Sequence, residues 1–313
     1  ITKAAAWSAT GVNFSSGGQG AKTLWVRASD GLNDAVIESV SFQYDTDPPL
    51  LTETAINTTN TVAKKELFSL TVEAQDSNAL KSLKITQVKE DGTSLVIYED
   101  NSLTGEEKIE TISDLPKKKN GENLVPVAID GTEDGIYSYQ IVATDITGKE
   151  ASLTRTVRFD TIGPKIELDA FTEISGSVPK RYLFTSVEQI GAMLSDESGI
   201  KTATMEITAH PDGFSGSLPI PTKPAENAKT GRFVQKFTGL MEGEYTLELT
   251  TTDSLDQATT ETILIAIDNN NPSISANLSN NQFRSSNFDL IITASDSAGL
   301  KDAPTFFVLG DVT

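Results

Sequence analysis

Aspartates recur in this sequence at fixed spacing, so carboxylate chemistry is the first to consider. Three segments align without gaps: Gly20 to Asp30, Gly135 to Asp145 and Gly243 to Asp253, with ten positions from Gly to Asp in each. A further Asp follows fifteen positions later, at Asp45, Asp160 and Asp268. A third marker reads Asp, three residues, Leu or Ile, then Lys: Asp76/Leu80/Lys81, Asp196/Ile200/Lys201 and Asp296/Leu300/Lys301. Hard carboxylate oxygens recruit cations, calcium above all, which takes about six to eight oxygens at one point. The simpler use of an Asp is to close a turn by accepting from nearby backbone N–H groups. Dense Asp-x-Asp-x-Asp loops are missing, and the third joint runs Asp268-Asn-Asn-Asn-Pro272.

Other chemistries find little purchase. There is no cysteine, which removes thiolate catalysis, Cys-based zinc sites and disulfides. His210 is the single histidine and sits in Thr208-Ala-His-Pro-Asp-Gly213, which reads as a surface turn. No Gly-x-Ser-x-Gly elbow accompanies it. The adjacent acids Asp196-Glu197 and Glu106-Glu107 are expected as solvated surface in a chain with 44 carboxylates. Gly17-Gly18-Gln19-Gly20 leads into a strand, not a phosphate-binding helix. Asn13, Asn57 and Asn277 fit the N-glycosylation sequon, in a sequence rich enough in Ser, Thr and Asn for chance matches. Lys117-Lys118-Lys119 is a local basic patch in the longest insertion, about 100–132, the expected place for a repeat-specific contact.

The markers are set on strands. Leu24, Val26 and Ala28 correspond to Tyr139, Ile141 and Ala143, and to Leu247, Leu249 and Thr251, alternating with period two. A second strand precedes each following Asp, through Val40, Phe42 and Tyr44, through Val157 and Phe159, and through Ile263, Ile265 and Ile267. Arg155 breaks that alternation and predicts an exposed strand end. Each strand pair is an antiparallel hairpin with a short polar turn. Each hairpin is followed by a Pro-bearing joint, Asp45 to Pro49, Asp160 to Pro164 and Asp268 to Pro272, which reads as a short, stiff linker.

The order joint, Asp-x-x-x-Leu-Lys turn, hairpin, joint defines the domains. Residues 45–159 and 160–267 are complete repeats. Residues 1–44 hold the C-terminal part of an earlier one and 268–313 the N-terminal part of a later one, expected to be completed by sequence outside this chain. Many short strands in units of about a hundred residues predict an all-β fold of tandem immunoglobulin-like β-sandwich domains in an extended array. Gly135-Ile-Tyr137 and Gly243-Glu-Tyr245 fit a tyrosine corner, whereas Lys22 replaces the Tyr in the first segment.

The Gly-x-Tyr strand with its Asp, the Asp-Thr-x-x-Pro joint and the segment from Gly18 to Ala35 resemble the bacterial Ig-like tandem repeats of large surface proteins, adhesins and S-layer-type proteins. The resemblance implies an extracellular, prokaryotic setting and a structural spacer, stalk or lattice module without catalysis. The alternative is a module that grips a glycan or host protein through inter-strand loops, for which Trp7 and Trp25 are the aromatic candidates. In such repeats, linker and turn carboxylates can bind calcium and stiffen the rod. Asp45, Asp47, Asp76, Asp160, Asp196, Asp268 and Asp296 are the ligands this implies. No cofactor is required. The partners implied are the neighbouring Ig-like domains, with other copies in a surface assembly or a host glycan or protein beyond them.

Composition agrees. The 313 residues carry a net charge of −19, which repels phosphate backbones and excludes nucleic acid as a natural partner. No apolar run approaches the roughly 18 residues of a membrane-spanning helix. The 37% hydrophobic content is spread thinly, with two Trp and three Met, and suits several small cores.

Overall fold

The computed structural model describes residues 8, 10–12, 18–170, 181–277, 279 and 289–296. Every regular element among them is a β-strand. The chain divides into two compact units, residues 1–161 and 162–313.

The first unit opens with an antiparallel hairpin, β1 (Gly20–Ala28) and β2 (Val36–Tyr44). Leu24, Val26 and Val40 stand where the later repeats bury their cores, but here they are exposed. A sandwich follows. Its strands are β3 (Leu50–Glu53), β4 (Val62–Lys64), β5 (Phe68–Gln75), β6 (Leu80–Lys89), β7 (Ser94–Asp100), β8 (Glu107–Leu115), β9 (Lys117–Asn120), β10 (Asn123–Pro126), β11 (Gly135–Asp145) and β12 (Glu150–Phe159). One sheet runs β4-β12-β11-β6-β7 and the other β3-β5-β8, while β9 and β10 form a separate ribbon.

The core lies between the two sheets. Leu70, Val72 and Ala74 of β5 meet Leu83 and Ile85 of β6, Tyr139, Ile141 and Ala143 of β11, and Val157 and Phe159 of β12. Each fully buried side chain of this size contributes about 1.5–3 kcal/mol. Edge-to-face contacts join Tyr137 to Phe159 and Phe68 to Tyr139. The region 100–132 is not a loop insertion as its charges suggest. It holds β8, the third strand of the smaller sheet, and the β9–β10 ribbon. β8 escapes a hydrophobic reading because it pairs with one neighbour only and its Ile109 faces solvent.

The second unit contains β13 (Lys165–Leu168), β14 (Arg181–Phe184), β15 (Gln189–Ala209), β16 (Ala228–Lys236), β17 (Gly243–Asp253) and β18 (Ala258–Ile267), then β19 (Ser273–Ala276) and β20 (Ile292–Ser295). The long β15 serves both layers. Its first half pairs with β13 and β16, and after a register break at Ser195–Ile200 its second half pairs with β17. β5 and β6 do the same work in the first unit with a turn between them. The core is Ile190, Ala192, Leu194, Phe233, Leu247, Leu249, Ile263 and Ile265. On the opposite face hydroxyls pair across strands, as Thr202 with Thr252 and Thr250 with Thr260.

Two local features explain the repeated Gly-x-Tyr. Gly20, Gly135 and Gly243 have φ of 108°, 148° and 132°, a region that only glycine enters without strain. Two residues on, the Tyr137 hydroxyl donates to the Glu133 carbonyl at 2.6 Å, and that of Tyr245 to the Met241 carbonyl at 2.9 Å. Both are tyrosine corners.

Arg155 is not at an exposed strand end. Its side chain is only 13% exposed, and its Nε donates to Glu53 Oε1 at 2.7 Å. Glu53 is fully buried, so the charge in the middle of β12 is explained by the carboxylate it neutralises.

Candidate metal centre

Three turns of the first sandwich each bring an aspartate to one point. Asp45 starts the joint, Asp76 follows β5 and Asp145 ends β11. Their carboxylates place one oxygen each within 4.8 Å of one another. All three residues are buried, at 9%, 8% and 0% exposure.

Turn closure accounts for part of this arrangement. Asp45 Oδ1 accepts from Asp47 N at 3.1 Å and Asp76 Oδ1 from Asn78 N at 2.9 Å. Asp145 Oδ1 accepts from Lys149 N at 2.9 Å and from the Thr147 hydroxyl at 2.8 Å. The other oxygens are not explained by turns. Asp45 Oδ2 and Asp145 Oδ2 are buried and receive no hydrogen bond. Ions about 5 Å apart repel by about 3 kcal/mol per pair at an effective dielectric constant near 20. One cation is at hand: Lys149 Nζ lies 3.7 Å from Asp145 Oδ2 and donates to the Asp45 carbonyl at 2.8 Å. Among the described residues it is the one ammonium that an ion pair brings to these three carboxyl groups. Burial opposes ionisation of Asp145, but the Lys149 N–H, the Thr147 hydroxyl and the Lys149 charge outweigh it, so its carboxyl stays below the usual carboxylate range.

The set borders a 540 Å³ cleft whose lining includes Asp47, Asp76, Glu106 and Glu107 with Gln19 and Gln75. Buried oxygens without donors, beside further carboxylates and amide oxygens, fit a hard divalent cation.

The remaining candidates are placed as follows. Asp47 is exposed at the rim of that cleft. Asp160 is buried at the end of the first unit, and its N–H donates to the Lys64 carbonyl. In the second unit Asp196 Oδ1 accepts from Ser198 N and Gly199 N. Asp268 and Asp296 are half-buried, and among the described residues neither joins a set of three carboxylates. Asp145 was visible in the sequence as a repeat marker without being read as a ligand. So was its counterpart Asp253, which is fully buried. Gln257 takes the position of Lys149 in that repeat, and its Nε2 donates to Asp253 Oδ2 at 2.8 Å.

Of the other residues, His210 is exposed, with Nδ1 3.0 Å from the Pro211 carbonyl and its ring against Phe214. Trp25 is 67% exposed. Asn57 is exposed, whereas the Asn277 Nδ2 is engaged with the Asp289 carbonyl at 2.8 Å. Trp7 and Asn13 lie outside the described residues.

No protein-family model matches the chain, and no curated protein matches it. Among solved structures it is similar to a tetra-tandem repeat in the extending region of a large adhesion protein. The identity is 16% and the TM-score 0.36, over 87% of this chain and 63% of the other. It is also similar to extracellular cadherin domains 3–6 of protocadherin gamma B2, at 12% identity and TM-score 0.32, over 82% and 59%. A third is the N-terminal Ig1-2 module of the Drosophila receptor protein tyrosine phosphatase DLAR, at 14% and 0.21, over 71% and 99%. The chain therefore spans less than two thirds of the length of the first two. The reading as tandem Ig-like β-sandwich domains rests on the sheets of this chain itself.

Proposed function

We propose that this chain is a spacer segment of a prokaryotic cell-surface protein, structural and not catalytic, and that a calcium ion held by Asp45, Asp76 and Asp145 fixes the start of its first complete sandwich. The observation that carries the reading is the pair of buried, donorless oxygens, Asp45 Oδ2 and Asp145 Oδ2, in one three-carboxylate set. The set draws on the joint, the turn between the sheets and the hairpin turn. A cation bound there ties the entry of the sandwich to two of its turns and resists bending at the joint. The strongly acidic surface keeps such a segment soluble and separate from its neighbours.

Small-angle scattering of the chain in calcium and in chelator tests this. An elongated particle in calcium that becomes more flexible in chelator supports the reading. A compact particle in both conditions overturns the spacer, and an elongated particle unchanged by chelator removes the cation from it.

A further inference from the structure

We propose that the first sandwich carries a second site, a pocket beside the β9–β10 ribbon that binds a carboxylated sugar. The pocket encloses 370 Å³, within the usual range for small-molecule sites. Four lysines line it, Lys89, Lys117, Lys118 and Lys119, against two acids, Asp91 and Glu133. In a chain of net charge −19 this is a concentrated patch of the opposite sign.

The acid already inside shows how the lysines grip a carboxylate. Glu133 accepts from Lys89 Nζ and Lys118 Nζ, each at 3.1 Å. Lys117 and Lys119 have no carboxylate partner among the described residues, so their charge remains for a ligand. The frame is held rigid. Gln87, itself 4% exposed, accepts from Lys117 N at 2.9 Å and donates to the Lys117 carbonyl at 2.7 Å, which fixes the base of the ribbon. The tyrosine corner fixes the other wall, since Tyr137 donates to the Glu133 carbonyl. A ligand that meets a pre-ordered wall loses less entropy on binding.

The rest of the lining suits a sugar ring. Thr93 and Ser94 offer hydroxyls, and half-buried Leu95 offers apolar surface for the C–H face of a pyranose. The site also belongs to this repeat alone within the described residues. Residues 116–134 separate β8 from β11, whereas residues 237–242 separate the corresponding strands β16 and β17. A purely structural repeat needs no such ribbon, and spacing alone does not explain four lysines gathered at one pocket.

The test is a titration of the full chain, followed by amide NMR, with four probes: a disaccharide ending in glucuronic acid, its neutral glucose counterpart, sodium sulfate and tetraglutamate. The uronic disaccharide is expected to shift Thr93, Ser94 and Lys117 to Lys119 saturably, and the neutral sugar to bind at least tenfold more weakly. The double variant Lys117→Gln/Lys119→Gln removes only unpaired charges, so it should keep its melting temperature and lose at least tenfold in affinity. No saturable shift, equal binding of the neutral sugar, or unchanged binding by the variant overturns the site. Sulfate or tetraglutamate binding as tightly as the uronic disaccharide overturns its assignment to a sugar.

Discussion

Asp45 and Asp145 come from opposite ends of the first repeat, yet their carboxylates meet with Asp76, and each keeps its Oδ2 buried without a hydrogen-bond donor. Sandwich closure alone does not require that. A turn aspartate needs one oxygen for its backbone N–H groups, and the second is ordinarily left to water. Here the second oxygens are buried in a set of three carboxylates that lie within 4.8 Å of one another, and a cation bound there converts repulsion into a cross-link.

The Arg155–Glu53 pair should be the most sensitive charge in the first sandwich outside that set. Arg155→Ala leaves Glu53 buried with only the backbone N–H groups of Ile56 and Asn57 to hold it. Loss of one partner of a buried pair costs about 3–5 kcal/mol. Urea unfolding of the variant should show a loss near the lower end of that range, because two hydrogen bonds remain.

Tyr137 and Tyr139 lie two residues apart on β11 and should respond oppositely to removal of the hydroxyl. Tyr137→Phe breaks the bond to the Glu133 carbonyl and should cost about 1 kcal/mol. The Tyr139 hydroxyl is buried with no hydrogen-bond partner, and burial pushes its pKa far up. Tyr139→Phe should therefore be neutral or stabilising, by up to about 1 kcal/mol. Thermal melts of the two variants side by side check the contrast.

The repeat glycines should tolerate alanine unequally. A Cβ at Gly135 meets the tip of the Glu90 side chain at 2.7 Å, which can swing away. At Gly243 it meets the Pro211 ring at 2.4 Å, which cannot. Both lie at positive φ, which itself costs about 1–3 kcal/mol. Gly243→Ala should be the more destabilising of the two by denaturant titration.

What the sequence made legible follows from what is local. The spacing of Gly20, Gly135 and Gly243 exposed the repeat because a backbone position open only to glycine cannot drift. The alternation in β11 and β17 exposed the core faces for the same local reason. Arg155 was misread because its partner, Glu53 of β3, lies about a hundred residues away in sequence, and a charge on an alternating strand looks like an exposed end until that partner is known. β8 was missed because Ile109 is exposed and charged Lys108 and Glu110 precede Ile112 and Leu115, the two residues of the strand that pack on the core. Asp145 was visible as a marker, but its meeting with Asp45 and Asp76 depends on the sandwich closing, which no spacing reports. The lysine patch at 117–119 was visible, and the pocket it lines was not.

Acid should weaken the first sandwich through named groups. Burial opposes ionisation of Glu53, and its hydrogen bonds from Ile56, Arg155 and Asn57 outweigh that and lower its pKa. Asp145 is lowered likewise. A carboxyl with a depressed folded pKa stabilises the fold above its unfolded value near 4, and that contribution is lost as pH falls through the folded value. In chelator, unfolding free energy should hold from pH 7 to about 5 and fall steeply below about 4. Asp145→Asn should make the acid limb shallower.

The most direct measurement is calorimetric titration of calcium into the chain and into Asp145→Asn. The substitution keeps an Oδ1 acceptor for the Lys149 N–H and removes the buried charge. The account predicts saturable calcium binding by the parent chain, with one binding event missing in the variant. It also predicts a calcium-dependent gain in stability of about 2.7 kcal/mol at a hundredfold excess over Kd, lost with that event. Heats of dilution alone for the parent chain, or identical isotherms for parent and variant, would contradict it.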